Sequence, residues 1–196
     1  MFENSEREIL VHNDHYALAR ITENDRAAYV ELQRQISGES SLFTNPLSKD
    51  TMWKASLSDE GLYIILNEEM VLCGSVELSS HSRTPEIGIS ILEAFRNKGI
   101  AGNAVSLLME LTYDPLTIDY YIARIERDNS HSRHVFEKMG AELMGDDLST
   151  LEEFDEFLHE KDLVKGKDDL AGLFAIFHSN HAVVKYKLTP QRKDKE

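Results

Sequence analysis

Residues 86–102 read EIGISILEAFRNKGIAG, and this stretch decides the fold. Its first six residues alternate apolar side chains and predict a strand, whereas the apolar positions from Ile100 onward recur at helical spacing. The loop between them carries two cationic side chains and ends in glycine. The first N–H groups of a helix lack internal partners and carry the positive end of its dipole, so they can bind a phosphate group. The structural alternative is that Gly99 and Gly102 only make a turn and a packing contact.

The remaining pattern predicts an α/β (α+β) chain around this strand and helix. Further strands are predicted at 16–21, 62–66, 71–78, 120–125, 141–144 and 181–188, and helices after a capping-box-like Thr22–Asp25, at 100–111 and at 130–139. Trp53 lies in a polar segment and requires a buried face, which favours a short helix there. We expect one domain over 1–196, a mixed and mostly antiparallel sheet flanked by helices, with a charged insertion at about 146–180.

The composition limits the classes of function. The 196 residues include 21 Lys and Arg against 35 Asp and Glu, a formal net charge of -14. Such a charge repels a phosphate backbone, so nucleic acid is not an expected partner. The single cysteine, Cys73, cannot form an internal disulfide and fits a reducing compartment. The acidic start and the short apolar runs argue against a leader peptide or a membrane span, so we expect a cytoplasmic protein.

A second motif follows the predicted strand at 120–125. Residues 129–141 read NSHSRHVFEKMGA. Asn129 would either cap the helix that follows or use its amide on a ligand, and capping is favoured on the residue alone. Histidine pairs at i, i+3 spacing occur in the chain without a third ligand pattern, so no metal site is expected.

Together the two motifs resemble those of the GNAT N-acetyltransferases. The family's Arg/Gln-x-x-Gly-x-Gly/Ala signature is matched by Arg96, Gly99 and Ala101, and its Asn-x-x-Ser signature, with the following aromatic-Glu-Lys-x-Gly, is matched over 129–141. The opening RITEND at 20–25 is similar to the branch that includes ribosomal-protein N-terminal acetyltransferases.

This resemblance implies the GNAT fold, with acetyl-CoA as cosubstrate in a gap where two central strands, 86–91 and 120–125, splay apart. Gly88 would mark a bulge that starts the splay, or would be a plain packing glycine. Asn129 would face the pantetheine arm, and Arg133 is a weaker candidate for the nucleotide phosphates. The residues implied for cofactor binding are Ile89, Ser90, Ile91, Arg96, Asn97, Lys98, Gly99, Ile100, Ala101, Gly102, Asn129, Arg133 and Phe136.

The resemblance also implies acetyl transfer by direct attack of a primary amine on the thioester. The acceptor would be a protein N-terminus or a small cationic amine. Glu86 is the expected base, because the amine must lose a proton before it attacks; a solvated strand-end carboxylate is the alternative. The expected catalytic residues are Glu86, Asn129 and Ser132.

The sequence departs from the family at Phe136, where many members carry the tyrosine that protonates the leaving thiolate. Ser132, Tyr120, Tyr121 or a water would take that role, or the thiolate would leave unassisted. Loss of catalysis is a third reading, and it motivates an alternative function: a regulatory GNAT-like module that binds acetyl-CoA without turnover. A scaffold that binds no CoA is a further alternative. A homodimer is one possible oligomeric state.

Overall fold

The computed structural model describes residues 7–37, 43, 45, 48–79, 82–147 and 183–190. The chain divides into two compact units, which we describe separately: the first comprises Met1–Tyr121 with Pro190–Glu196, and the second comprises Ile122–Thr189. Within the described ranges, no helix is both long and apolar enough to cross a bilayer.

Among its described residues, the first unit is an antiparallel run of five strands with three α-helices. The strands pair in chain order: β1 (Ile9–His12), β2 (Tyr16–Ala19), β3 (Leu62–Asn67), β4 (Leu72–Ser79) and β5 (Glu86–Ile91). The helices are α1 (Arg26–Ser37), α2 (Lys49–Ser58) and α3 (Ile100–Thr112).

A short 3-10 helix (Glu23–Asp25) leads directly into α1, and the predicted capping box fixes its start. The Asp25 carboxylate accepts from the Thr22 N–H at 2.9 Å and from the Thr22 hydroxyl at 2.7 Å. It also accepts from the Arg7 guanidinium at 2.7 Å, although the Asp25 side chain is only 1% exposed. The buried Asp25 carboxylate thus has three hydrogen-bond donors, as a buried carboxylate requires. These bonds link the start of the helix to Arg7, which lies two residues before β1.

The core of this unit lies between the sheet and the first two helices. Tyr29 and Leu32 of α1 and Trp53 of α2 pack with Leu62 and Ile64 of β3. The indole N–H of Trp53 donates to a Glu23 carboxylate oxygen at 2.9 Å. The expectation that Trp53 needs a buried face within a short helix is confirmed.

The opposite face of the same sheet is covered by α3. Pleating places Leu18, Ile65 and Val76 on that face, and all three are fully buried. Helix α3 contacts β1, β2, β4 and β5, and its Leu108 is buried. The helix that follows residues 86–99 is therefore packed on one side of the sheet, while α1 and α2 lie on the other.

The second unit contains three strands and one helix among its described residues. These are β6 (Tyr121–Glu126), α4 (Ser130–Lys138), β7 (Glu142–Asp146) and β8 (Val183–Leu188), and β7 pairs antiparallel with β8. The Arg124 guanidinium bonds the buried Asp147 carboxylate. Most of the charged insertion expected at 146–180 lies outside the described residues.

The predicted fold class, mixed α/β with mostly antiparallel strands and flanking helices, is confirmed. Strand β1 was not predicted. Strands β4 and β5 stay in register from Gly74/Ile91 to Ser79/Glu86, so β5 has no bulge against β4 at Gly88. A bulge at Gly88 that starts the splay towards the strand at 120–125 stays a prediction. The splay between the two central strands and the single-domain organisation stay predictions.

Candidate functional site

Strand β5 turns a regular set of backbone groups away from β4. The Leu92 N–H donates to the Cys73 carbonyl at 2.9 Å, so hydrogen-bonded pairs recur at every second residue of this antiparallel ladder. Ile87, Ile89 and Ile91 fall on the intervening positions. Their N–H and C=O groups therefore point to the opposite edge of β5, the orientation expected for binding an extended pantetheine arm.

The turn between β5 and α3 presents cations to solvent. Arg96, Asn97, Lys98 and Gly99 are all exposed. The Arg96 guanidinium donates to the Ile91 carbonyl at 3.2 Å, and the Lys98 ammonium lies 5.1 Å from the centre of the Phe95 ring. These contacts hold two positive charges at the end of β5 in a protein with a net charge of -14.

The backbone of this turn explains its glycine. Asn97 and Gly99 have φ values of 61° and 75°, in the left-handed region that favours glycine. A Cβ built on Gly99 would meet no heavy atom within 4 Å, so conformation, not crowding, requires this residue. The open space beside it leaves the helix start accessible to a phosphate group.

The first turn of α3 combines anchoring with accessible backbone. Ile100 is buried, whereas Ala101 and Gly102 are partly exposed. The Asn103 amide donates to the Gly99 carbonyl at 3.0 Å and accepts from the Asn13 amide at 3.1 Å, which ties the helix start to the β1–β2 turn. The first N–H groups of a helix have no partner within the helix, and here they lie beside two exposed cations, an arrangement that fits a pyrophosphate.

Polar residues lie on one face of β4 and β5, the face that is on the same side of the sheet as α1 and α2. Cross-strand register puts Ser75 beside Ile64 and Glu77 beside Leu62, so the same face changes from apolar to polar between β3 and β4. We call five residues of this face the polar strip: Ser75, Glu77, Ser79, Glu86 and Ser90. Ser90 and Glu86, both predicted site residues, belong to it.

Glu77 is the residue of this strip that the sequence reasoning missed. It lies directly opposite Gly88, and a Cβ on Gly88 would come within 2.5 Å of Glu77 Oε1 and 2.7 Å of its Cγ. The carboxyl group of Glu77 therefore lies over the glycine. The packing interpretation of Gly88 explains this geometry.

The surroundings of Glu77 favour its protonated form. Loss of water around the carboxyl raises its pKa, and the nearby charges of Asp59 and Glu86 raise the pKa further. Glu77 is nevertheless an exposed residue. It therefore lies at a boundary, crowded by protein on one side and open to water on the other.

The cavity that Glu77 borders is acidic. It has a volume of about 580 Å³ and lies entirely within the first unit. Its carboxylates come from Asp59, Glu60 and Glu77, and its single guanidinium, from Arg20, donates to the Glu60 carbonyl. The remaining lining residues are Gly61, Tyr63, Leu78, Ser79, Ser82, Pro85, Thr117 and Ile118.

The second-unit candidates are held by local bonds. Asn129 caps α4, since its Oδ1 accepts from the Ser132 N–H at 3.1 Å, which confirms the capping interpretation. The Arg133 guanidinium donates to the Tyr186 hydroxyl at 3.2 Å and to the Arg127 carbonyl at 3.0 Å. These bonds occupy Arg133 within its own unit. Binding of pantetheine by Asn129 and of phosphate by Arg133 stay predictions.

Two side chains are poorly suited to proton transfer. The buried Tyr121 hydroxyl lies 2.8 Å from the Thr112 hydroxyl, and burial raises its pKa. Burial likewise raises the pKa of the Cys73 thiol to about 11, consistent with a core residue. Phe136 is 2% exposed and belongs to the core of its unit.

The fold and the cationic turn together define an acyltransferase of the acetyl-CoA-dependent class. Residues 11–142 match the family model described as an acetyltransferase (GNAT) domain. The chain belongs to the GNAT acetyltransferase family. It is thus an N-acetyltransferase with acetyl-CoA as its cosubstrate. No curated protein matches the chain.

Solved structures share the fold at low sequence identity. A GNAT-family acetyltransferase from Bacillus anthracis is 15% identical with a TM-score of 0.64, covering 91% of this chain and 97% of its own. A spermidine N-acetyltransferase from Vibrio cholerae, in complex with CoA and spermine, is 15% identical with a TM-score of 0.62, covering 90% and 96%. RimL, a ribosomal alpha-N-protein acetyltransferase, is 17% identical with a TM-score of 0.61, covering 94% and 95%.

Proposed function

We propose that this N-acetyltransferase transfers the acetyl group to a primary amine, either a small cationic amine or a protein N-terminus, by direct attack on the thioester. The observation that carries the proposal is the arrangement on β5. Outward-facing backbone groups of Ile89 and Ile91 run along one edge of the strand, and the exposed cationic turn 96–99 follows its end.

Each part of this arrangement has one chemical task. The N–H groups of residues 97–102, with Arg96 and Lys98, hold the pyrophosphate. The outward-facing backbone groups of Ile89 align the pantetheine arm, and the outward-facing Ile91 N–H polarises the thioester carbonyl. When bound, acetyl-CoA supplies that electrophilic carbonyl. A carboxylate of the polar strip accepts the proton that the amine must lose.

The acceptor proposal rests on charge. The net charge of -14 and the acidic cavity beside the polar strip both favour a cationic amine. The two named neighbours above act on spermidine and on a ribosomal protein, and these are the two acceptor classes we propose. Because the only cysteine is buried and no disulfide is available, we also propose that the enzyme works in the cytoplasm.

The test is release of free CoA thiol from acetyl-CoA with spermidine, benzylamine and trialanine amide as acceptors. We expect acetyl-CoA to raise the melting temperature and at least one amine to give turnover. Stabilisation by acetyl-CoA without thiol release from any amine would contradict the proposal and favour the regulatory module. Absence of stabilisation at millimolar acetyl-CoA would contradict the cofactor site itself.

A further inference from the structure

We propose that Glu77, on the strand next to β5, is the group that accepts the proton of the attacking amine. The inference rests on the proposed function and assigns the base that was expected at Glu86. Glu86 becomes the neighbouring charge that keeps Glu77 basic enough for the reaction.

The position of Glu77 favours it over Glu86. Glu86 is the first residue of β5 and pairs with Ser79 at the last position of β4. Glu77 lies one hydrogen-bonded pair further into the ladder, opposite Gly88, and so nearer to Ile89 and Ile91, whose backbone groups are assigned to the pantetheine. At a strand rise of about 3.3 Å per residue, this displacement is roughly 7 Å along the sheet.

The absence of a side chain at Gly88 determines where the Glu77 carboxyl lies. The missing side chain of Gly88 leaves room for Cγ, Cδ and Oε1 of Glu77, each of which lies within 3.0 Å of the point where a Cβ would stand. The carboxyl can therefore lie across β5 instead of extending into solvent. This packing turns an ordinary strand carboxylate towards the strand that is assigned to the cosubstrate.

The face on which Glu77 lies suits an acceptor site. Helix α3, which follows the cationic turn, covers the opposite face of the sheet, so Glu77 is on the side of α1 and α2. Tyr29 of that core is close enough for the Glu77 charge to raise its pKa, an effect secondary to burial. The Glu77 carboxyl therefore lies on the face of the sheet opposite the helix whose start is assigned to the cosubstrate phosphates.

The transfer balances with Glu77 as the proton acceptor. The ammonium group passes one proton to a Glu77 carboxylate oxygen, and the freed nitrogen lone pair forms the N–C bond to the acetyl carbonyl. The C–S bond breaks with its electron pair on sulfur. The second nitrogen proton ends on that sulfur, which gives the amide and CoA thiol, and Glu77 releases its proton to the water that reaches its exposed side.

The decisive experiment compares Glu77→Gln with Glu86→Gln, using whichever of spermidine, benzylamine and trialanine amide gives most CoA release. For Glu77→Gln we expect kcat to fall at least ~100-fold, with the KM for acetyl-CoA changed less than about threefold, because the base acts only on the amine. The acidic limb of the kcat/KM profile against pH should also disappear. Glu86→Gln should keep that limb, shifted to lower pH.

Glu69→Gln is the matched control, since it removes the same charge from the exposed β3–β4 turn of the same unit. It should match the wild-type rate within about twofold. If wild type turns over an amine and Glu77→Gln keeps its rate and its acidic limb, the inference alone is overturned. If wild type releases no thiol with any of the amines, the proposed function is overturned together with it.

A second variant tests the geometry without touching the carboxylate. Gly88→Ala places a methyl group against the movable end of Glu77, so the carboxyl must shift. We expect kcat to fall about tenfold or more in this variant, and Glu77→Gln/Gly88→Ala to be no slower than Glu77→Gln. Additive losses in the double variant would mean that Gly88 acts independently of Glu77 and would overturn the assigned role.

Discussion

At the scale of single residues, Glu77 combines a cost in stability with a use in chemistry. Its raised pKa means that the folded chain binds a proton more tightly than the unfolded chain does. In the pH range between the ordinary carboxyl pKa and the raised one, the unfolded state therefore carries fewer protons. Stability falls as pH rises through that range.

We accordingly predict that Glu77→Gln raises the melting temperature at pH 7 and has a smaller effect at pH 4, where the wild-type carboxyl is largely protonated. Thermal unfolding at both pH values measures this. A uniform destabilisation by Glu77→Gln would show that the carboxylate is a stabilising surface charge.

The second prediction at this scale concerns Phe136→Tyr. The ring is 2% exposed, so an added hydroxyl must find a partner inside the second unit or remain unsatisfied. We expect a loss of about 1–2 kcal/mol in unfolding free energy and no gain in kcat, because a leaving thiolate is already a weak base. Urea unfolding and the CoA-release assay measure both. A tenfold gain in rate would show that protonation of the thiolate is limiting.

At the scale of elements, the turn between β5 and α3 is predicted to serve the cosubstrate alone. Arg96→Ala and Lys98→Ala should each raise the KM for acetyl-CoA about three- to tenfold, up to ~1.4 kcal/mol, because each removes one exposed cation from the pyrophosphate site. The KM for the amine should stay within about twofold. Lys54→Ala on α2 is the control, since it changes the net charge equally. An equal effect of Lys54→Ala would mean that only total charge matters.

Elements with local signals were predictable from the sequence. The Thr22–Asp25 pair predicts a helix start before α1, and Gly99 predicts the start of α3. The structure has the capping box at Thr22–Asp25 and has Gly99 at the N-terminus of α3. Strand β1 was missed because its four residues carry little alternation and need pairing with β2 to form. Glu77 was missed for a related reason: in the pattern of β4 it is an ordinary solvent-side carboxylate. Only its register against Gly88 distinguishes it.

At the scale of the whole molecule, the net charge of -14 should act on how the acceptor arrives. A negative protein attracts cations at long range, and this attraction is screened within about 8–10 Å at physiological salt. The effect scales with the charge of the acceptor. Cosubstrate binding depends instead on the local cations at 96–98, which oppose the field of the rest of the chain.

We therefore predict that added salt separates the two substrates. Between 20 and 300 mM NaCl, the kcat/KM for spermidine should fall about tenfold and that for benzylamine about threefold, because the first carries more positive charge. The KM for acetyl-CoA should change less or even fall, since screening also weakens the repulsion between CoA phosphates and an acidic protein. Initial rates of CoA release at fixed pH measure all three. Equal salt dependence for the two amines would show that the acidic cavity and the net charge do not steer the acceptor, and that its recognition is a matter of contacts made after arrival.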